Sequence, residues 1–101
     1  MEQKETIQRA TPLERKFPAG IILTTPGALE TFEVSELNSA MRRHLSGDWG
    51  EMSPVDIEAN EFALQHQNRL FSSYKFKGKG KLWIITEADR RATTMMLPSE
   101  Y

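Results

Sequence analysis

The residues of this chain that could carry out chemistry begin with its histidines, His44 and His66. His44 precedes Asp48 by four positions, so an imidazole and a carboxylate lie close together across a predicted helix end. A zinc site needs further ligands, and His66 falls on a different predicted helix. We therefore predict no metal site, and we expect His44 to be a buried or half-buried side chain whose hydrogen bonds are satisfied by its neighbours.

A second group of reactive side chains lies in residues 86–91, where two acids and two bases share one predicted turn. As chemistry, Glu87 would be a general base and Arg90 a clamp for a phosphate or an oxyanion. As structure, the same residues form a salt-linked turn, which Asp89 favours through hydrogen bonds to the backbone. We prefer the structural interpretation.

Four lysines alternate with an aromatic residue and glycines in residues 75–81. Lysines can contact phosphates, and Phe76 could stack on a base. The sequence pI of about 6.1 is low for a nucleic-acid-binding module, which usually has a strongly basic surface. We favour a solvated hairpin tip that protects the sheet from edge-to-edge pairing, and nucleic-acid contact is the less favoured alternative. The lysines are Lys75, Lys77, Lys79 and Lys81.

Trp49, between Asp48 and Gly50, is a further candidate. It could present a stacking surface in a recognition loop, or it could close the edge of a small core while the glycine serves the turn. We prefer the core interpretation.

An enzymatic alternative combines several of these side chains in a small ribonuclease. It needs a base, an acid and cationic groups in one concavity of the sheet. The net charge of −1 counts against it, because phosphate binding is largely electrostatic. The candidates are Arg69, Tyr74, Lys75 and Arg90, with His44 or Glu87 for proton transfer.

The element that must position these residues is a strand over residues 82–86. Leu82 and Ile84 point to one side and Trp83 and Ile85 to the other, because side chains alternate along a strand. A strand that is apolar on both sides belongs in the middle of a sheet.

The other elements give an α+β fold in two layers. We predict a short N-terminal strand, two to three helices that begin at Pro26, Glu36 and Pro54, and a three-stranded antiparallel meander. The meander comprises residues 69–76, 82–86 and 92–97, and the helices pack on one face of the sheet. The third helix has two apolar faces, one of them with Ile57 and Leu64, so it is expected to contact a second element or another molecule.

Length and composition indicate one domain over residues 17–101, preceded by a flexible tail over residues 1–16. The chain has no cysteine, no apolar run long enough to cross a membrane and no secretory signal, so a cytoplasmic protein is expected. Charge is split along the chain. Residues 26–68 carry eight acids and two bases, whereas residues 69–91 carry seven bases and two acids.

Several separate pieces of the chain carry a resemblance. They are residues 25–29, His44 with residues 47–50, residues 60–64, 82–90 and 93–98, and Tyr101. In these pieces, from about Gly20 to the end, the chain resembles a family of small bacterial proteins borne on plasmids and integrative elements. Members are often labelled plasmid-related, or as a type I restriction enzyme subunit. That second label would require a cofactor-binding domain with a glycine-rich loop, which this chain lacks. The lysine-rich hairpin and Met95-Met96 depart from the family pattern.

Two functional hypotheses follow. The first is an accessory protein of a mobile element that is not an enzyme, needs no cofactor and binds a partner protein. Its partner surface would come from Trp49, Ile57, Leu64, Lys75, Phe76, Lys77, Lys79 and Lys81. The second is a nucleic-acid-binding protein or a small ribonuclease, because the order strand, helices and meander is also similar to that of RelE-like ribonuclease toxins. The partner's identity and the oligomeric state do not follow from the sequence.

Overall fold

The computed structural model describes residues 15–101, so most of the expected tail lies outside the described residues. Within this range the chain forms one sheet of four strands, three α-helices and a short 3-10 helix. The α+β class predicted from the sequence is confirmed. The strands are β1 (Ile21–Thr24), β2 (Leu70–Phe76), β3 (Gly80–Thr86) and β4 (Ala92–Met96). The helices are α1 (Pro26–Thr31), α2 (Val34–Leu45) and α3 (Pro54–His66), and the 3-10 helix is Pro98–Glu100.

The strand order across the sheet is β1-β4-β3-β2. Strands β2, β3 and β4 form the predicted antiparallel meander, in which Leu82 lies opposite Tyr74 and Ile84 lies opposite Met95. Strand β1 joins the same sheet and runs parallel to β4, with Ile22 opposite Thr93. β3 is therefore an inner strand, as its apolar composition predicts.

Alternation along the strands gives the sheet two different faces. Leu70, Tyr74, Leu82 and Ile84 are fully buried on the face that carries the helices. Trp83 lies on the other face, which we call the open face because, among residues 15–101, the three α-helices pack on the opposite side of the sheet and only the short 3-10 helix contacts β3 beside it. Tyr101 packs its ring against this side, with its centroid 5.8 Å from that of the Trp83 ring.

The helix starts follow from side chains that accept the first free backbone N–H groups. Ser53 accepts a hydrogen bond from Asp56 at the start of α3, and Pro54 occupies the first turn. The prediction that the second helix begins at Glu36 is wrong. It begins at Val34, because the Glu36 carboxylate reaches back 2.8 Å to the Glu33 N–H and satisfies it. None of the helices within residues 15–101 is long and apolar enough to span a bilayer.

Candidate functional site

His44 lies at the centre of a buried polar chain between α2 and the sheet. Its Nδ1 is 2.6 Å from the Ser72 hydroxyl and its Nε2 is 2.8 Å from the Thr86 hydroxyl. Thr86 is in turn 2.8 Å from Thr93, whose hydroxyl donates to the Ala19 carbonyl oxygen at 2.7 Å. The side chains of His44, Ser72, Thr86 and Thr93 are all fully buried. This agrees with the expectation of a buried histidine whose hydrogen bonds are satisfied by its neighbours.

The protonation state of His44 follows from this chain of partners. The Ala19 carbonyl can only accept, so Thr93 donates to it and must accept from Thr86. Thr86 has then used its proton, so His44 Nε2–H donates to Thr86, and the bare Nδ1 accepts from Ser72. Burial, with the positive charge of Arg90, lowers the pKa of His44 to about 3. His44 is therefore a neutral structural side chain.

Arg90 is buried although it has no carboxylate partner in the described chain. Its guanidinium donates to the carbonyl oxygens of Ala63 at 2.9 Å and Asn68 at 2.7 Å, and also to two carbonyls of its own turn. The cation thus caps the negative end of α3. These bonds hold Arg90 at a positive φ of 62°. Burial lowers its pKa.

The ribonuclease candidates do not converge in one cleft. His44 and Arg90 are occupied as described, and Tyr74 is buried with its hydroxyl donating to the Asp48 carbonyl oxygen at 2.6 Å. Burial raises the pKa of Tyr74. Of the remaining candidates, Arg69 and Glu87 are 3.5 Å apart at the surface. Lys75 lies on β2, six residues after Arg69 in the sequence. Within residues 15–101, no group of three or more His, Asp or Glu side chains could hold a metal ion.

The residues predicted as a partner surface separate into two groups. Trp49 does not lie on the surface. Its indole is buried, stacks on Phe17 and donates to Glu61 at 2.8 Å, so the core interpretation is correct and the surface role is not. Leu64 and Phe76 pack against the core from its edge. The exposed members are Ile57, Lys75, Lys77, Lys79 and Lys81.

Lys79 turns away from the open face. Its ammonium group is 2.8 Å from the Glu36 carboxylate of α2, on the helix side. Lys75 and Lys81, which lie opposite each other in the β2–β3 register, share the face of Trp83 instead. The strand register therefore divides the lysine hairpin between the two sides of the sheet.

An aromatic cleft of about 200 Å³ opens on this face. Phe71 and Tyr101 stand nearly perpendicular to the Trp83 ring, with centroids 4.9 and 5.8 Å away. Arg69 lies at its mouth, donates to the Tyr101 hydroxyl at 3.0 Å and completes the lining together with Ile85. Phe71 and Tyr101 are not among the site residues predicted from the sequence. Arg69, Phe71 and Lys75 are separated by even numbers of residues, which places them on one face of a strand. This alternation was visible in the sequence.

The two edges of the sheet differ. At the β2 edge, the Asn60 side chain pairs with both the N–H and the carbonyl of Phe71, at 3.1 and 2.7 Å. The Trp49 carbonyl and the Glu51 N–H bond Ser73 beside it. This approach requires glycine at position 50, because a Cβ there would collide with the Ser73 carbonyl oxygen. The β2 edge is thus closed at Phe71 and Ser73.

The β1 edge has no such cover among residues 15–101. Ile21 is 67%, Ile22 47% and Leu23 48% exposed, and no described strand lies beyond them. Ile21 and Thr25 direct their N–H groups to β4, so Ile22 and Thr24 direct theirs outward. Beside this edge runs a groove of about 730 Å³ between β1 and α2, lined by Arg15, Ile22, Asn38, Met41, Arg42 and Leu45 among others.

A third exposed apolar surface lies on α3. The buried members of this helix are Asn60 and Ala63, whereas Val55 is 74% and Phe62 56% exposed. The apolar face that carries Val55 and Phe62 is therefore turned outward, whereas Leu64, on the other predicted apolar face, packs against the core. The comparisons with known proteins add no relative, since no family model, curated protein or solved structure matches the chain.

Proposed function

We propose that this protein is a non-enzymatic binding protein that takes an extended segment of a partner protein as an added strand beside β1. The observation that carries the proposal is the contrast between the two edges of the sheet. One is closed by Asn60 and residues 49–51, whereas the other presents three exposed aliphatic side chains and outward N–H groups. An uncovered apolar edge strand is a ready template for pairing with another chain.

The groove beside β1 specifies the chemistry of the partner segment. In an added strand, alternate side chains would enter the groove against Ile22, Met41 and Leu45. Arg15 and Arg42 line the same groove, and no acid is among its described lining residues. The partner segment is therefore extended, and its alternate side chains that face the groove include both apolar residues and acids.

The interior of the protein supports binding rather than catalysis. The side chains best suited to proton transfer and phosphate binding, His44, Tyr74 and Arg90, are buried and hydrogen-bonded. The family resemblance supplies a context, an accessory role in a plasmid or integrative element. On this proposal the chain needs no cofactor.

The test begins with amide exchange in the free full-length protein, followed by selection of binders from a random display library of peptides about 12 residues long. We expect the Ile22 and Thr24 amides to exchange fast in the free protein and to become protected by a selected peptide. Enriched peptides should alternate apolar residues and carry acids. Ile22→Lys should weaken their binding at least about tenfold, because a lysine on the edge opposes pairing.

The matched control is Leu29→Lys, which places the same charge on a residue of α1 that is 57% exposed. It should leave peptide binding unchanged. Three results would overturn the proposal. The first is protection of the Ile22 and Thr24 amides without peptide, which would mean that the chain itself fills the edge. The second is a dimer that Ile22→Lys dissociates, and the third is peptide binding that is equal in both variants.

A further inference from the structure

The open face differs from the β1 edge in both charge and chemistry. Arg69 and Lys75 lie on β2 and its approach, and Lys81 lies on β3, all on the side of Trp83. Glu87 directly follows β3 and lies on the same face. Its carboxylate is 3.5 Å from the Arg69 guanidinium. Because both side chains of that pair are about half exposed, the ion pair contributes little to stability. Arg69 can therefore release Glu87 and bind another anion.

Five of the eight acids of residues 26–68 belong to helices. Glu30, Glu36 and Glu58 lie in the helices, which cover the other face of the sheet. Lys79, the lysine paired with Glu36, is likewise on the helix side. The sequence pI averages two layers of opposite charge, so it underestimates the positive potential at the open face.

The aromatic cleft provides a second component of recognition. Phe71, Trp83 and Tyr101 present ring surfaces around a space of about 200 Å³, and the Arg69 guanidinium lies 5.7 Å from the centre of the Tyr101 ring. Aromatic rings and an arginine plane on an open four-stranded sheet can stack unpaired bases, while flanking cations contact phosphates. A duplex hides its bases from such a cleft.

We propose that the open face binds single-stranded nucleic acid. One base enters the cleft of Phe71, Trp83 and Tyr101, and the backbone follows the cations from Arg69 toward Lys75 and Lys81. The site is separate from the β1 groove, so either proposal can fail without the other.

The experiment is fluorescence anisotropy of labelled single strands of about 12 nucleotides, in RNA and DNA arms, with a duplex of the same sequence. We expect micromolar or tighter binding of a single strand at low salt. The log–log slope with salt should be about −2, because three cations each release about 0.7 counterion from a single strand. The RNA and DNA arms should differ less from each other than either differs from the duplex.

Variants separate charge from stacking. Lys75→Gln with Lys81→Gln should weaken binding more than about tenfold and reduce the slope to about −0.7, the value for one remaining contact. The matched control, Lys16→Gln with Lys79→Gln, removes the same charge from two lysines on the helix side, one beside Gly47 at the end of α2 and one paired with Glu36, and should cost less than about threefold. Tyr101→Ala, at a residue that is 69% exposed, should weaken binding about fivefold or more at every salt concentration with an unchanged slope.

Several results would overturn this assignment. Absence of binding at low salt, equal affinity for the duplex, or equal losses in the two lysine double variants would each remove it. Displacement of the strand by polyglutamate at equal phosphate and carboxylate concentration would show a general anion surface rather than a base-stacking site. An unchanged affinity in Tyr101→Ala would have the same meaning.

Discussion

His44 makes folding sensitive to mild acid. The unfolded chain binds a proton at the ordinary histidine pKa of about 6.5, whereas burial, together with Arg90, lowers the pKa of His44 in the folded protein to about 3. Between these two pKa values the unfolded chain binds a proton at His44 and the folded protein does not. Its stability is complete above pH ~6.5 and decreases by about 1.4 kcal/mol per pH unit as the pH falls toward 3.

We therefore expect the free energy of unfolding in urea to fall by about 2 kcal/mol between about pH 7.5 and about pH 5. His44→Gln, which keeps one donor and one acceptor, should be less stable at neutral pH but should lose less than half as much over the same interval. An equal acid loss in both proteins would mean that other groups cause it, and that His44 is not buried in its neutral form.

The partners of His44 and Arg90 mark the limit of sequence-based inference at this scale. The sequence indicates a satisfied histidine but not Ser72, Thr86 and Thr93, which are spread over three strands. Their two-residue alternation with buried Leu70 and Ile84 was a usable signal. The sequence holds no such signal for the partners of Arg90, because its hydrogen-bond acceptors are backbone carbonyl oxygens, which every residue type has.

At the scale of elements, β3 is the strand on which the fold depends. Ile84 is fully buried, lies opposite Ser72 and Met95, and packs in the core. Ile84→Ala should cost ~2–5 kcal/mol in chemical denaturation, because it removes buried methyl groups and leaves a cavity. Ile21→Ala removes the same atoms from a residue that is 67% exposed, and should cost less than about 1 kcal/mol. A loss below roughly 1 kcal/mol for Ile84→Ala would be incompatible with an inner strand.

The order of elements follows from local patterns, but their arrangement does not. Pro26 and Pro54 after capping residues, the alternation around Ile84, and the glycines of the hairpin each predict an element correctly. The parallel pairing of β1 with β4 joins residues about 70 positions apart and has no local signature. The free edge and its groove are consequences of that pairing, so the candidate site on β1 required the structure.

At the scale of the molecule, charge divides between layers. Residues 26–68 have a balance of −6, from eight acids and two bases, and residues 69–91 have a balance of +5, from seven bases and two acids. The first set forms the helical layer and its loops, and most of the second belongs to the meander. With a net charge of only −1, repulsion between whole molecules is weak.

The acidic layer of one molecule should therefore attract the basic open face of another in dilute buffer. We expect light scattering to give a negative second virial coefficient at about 0.01 M salt. The coefficient should rise toward zero at about 0.15 M, because the screening length falls from about 30 to about 8 Å. Lys75→Glu with Lys81→Glu changes the net charge from −1 to −5 and removes the basic face, so the coefficient should become positive even in dilute buffer. Attraction that persists in salt and in this variant, but disappears in Ile22→Lys, would instead assign self-association to the uncovered β1 edge.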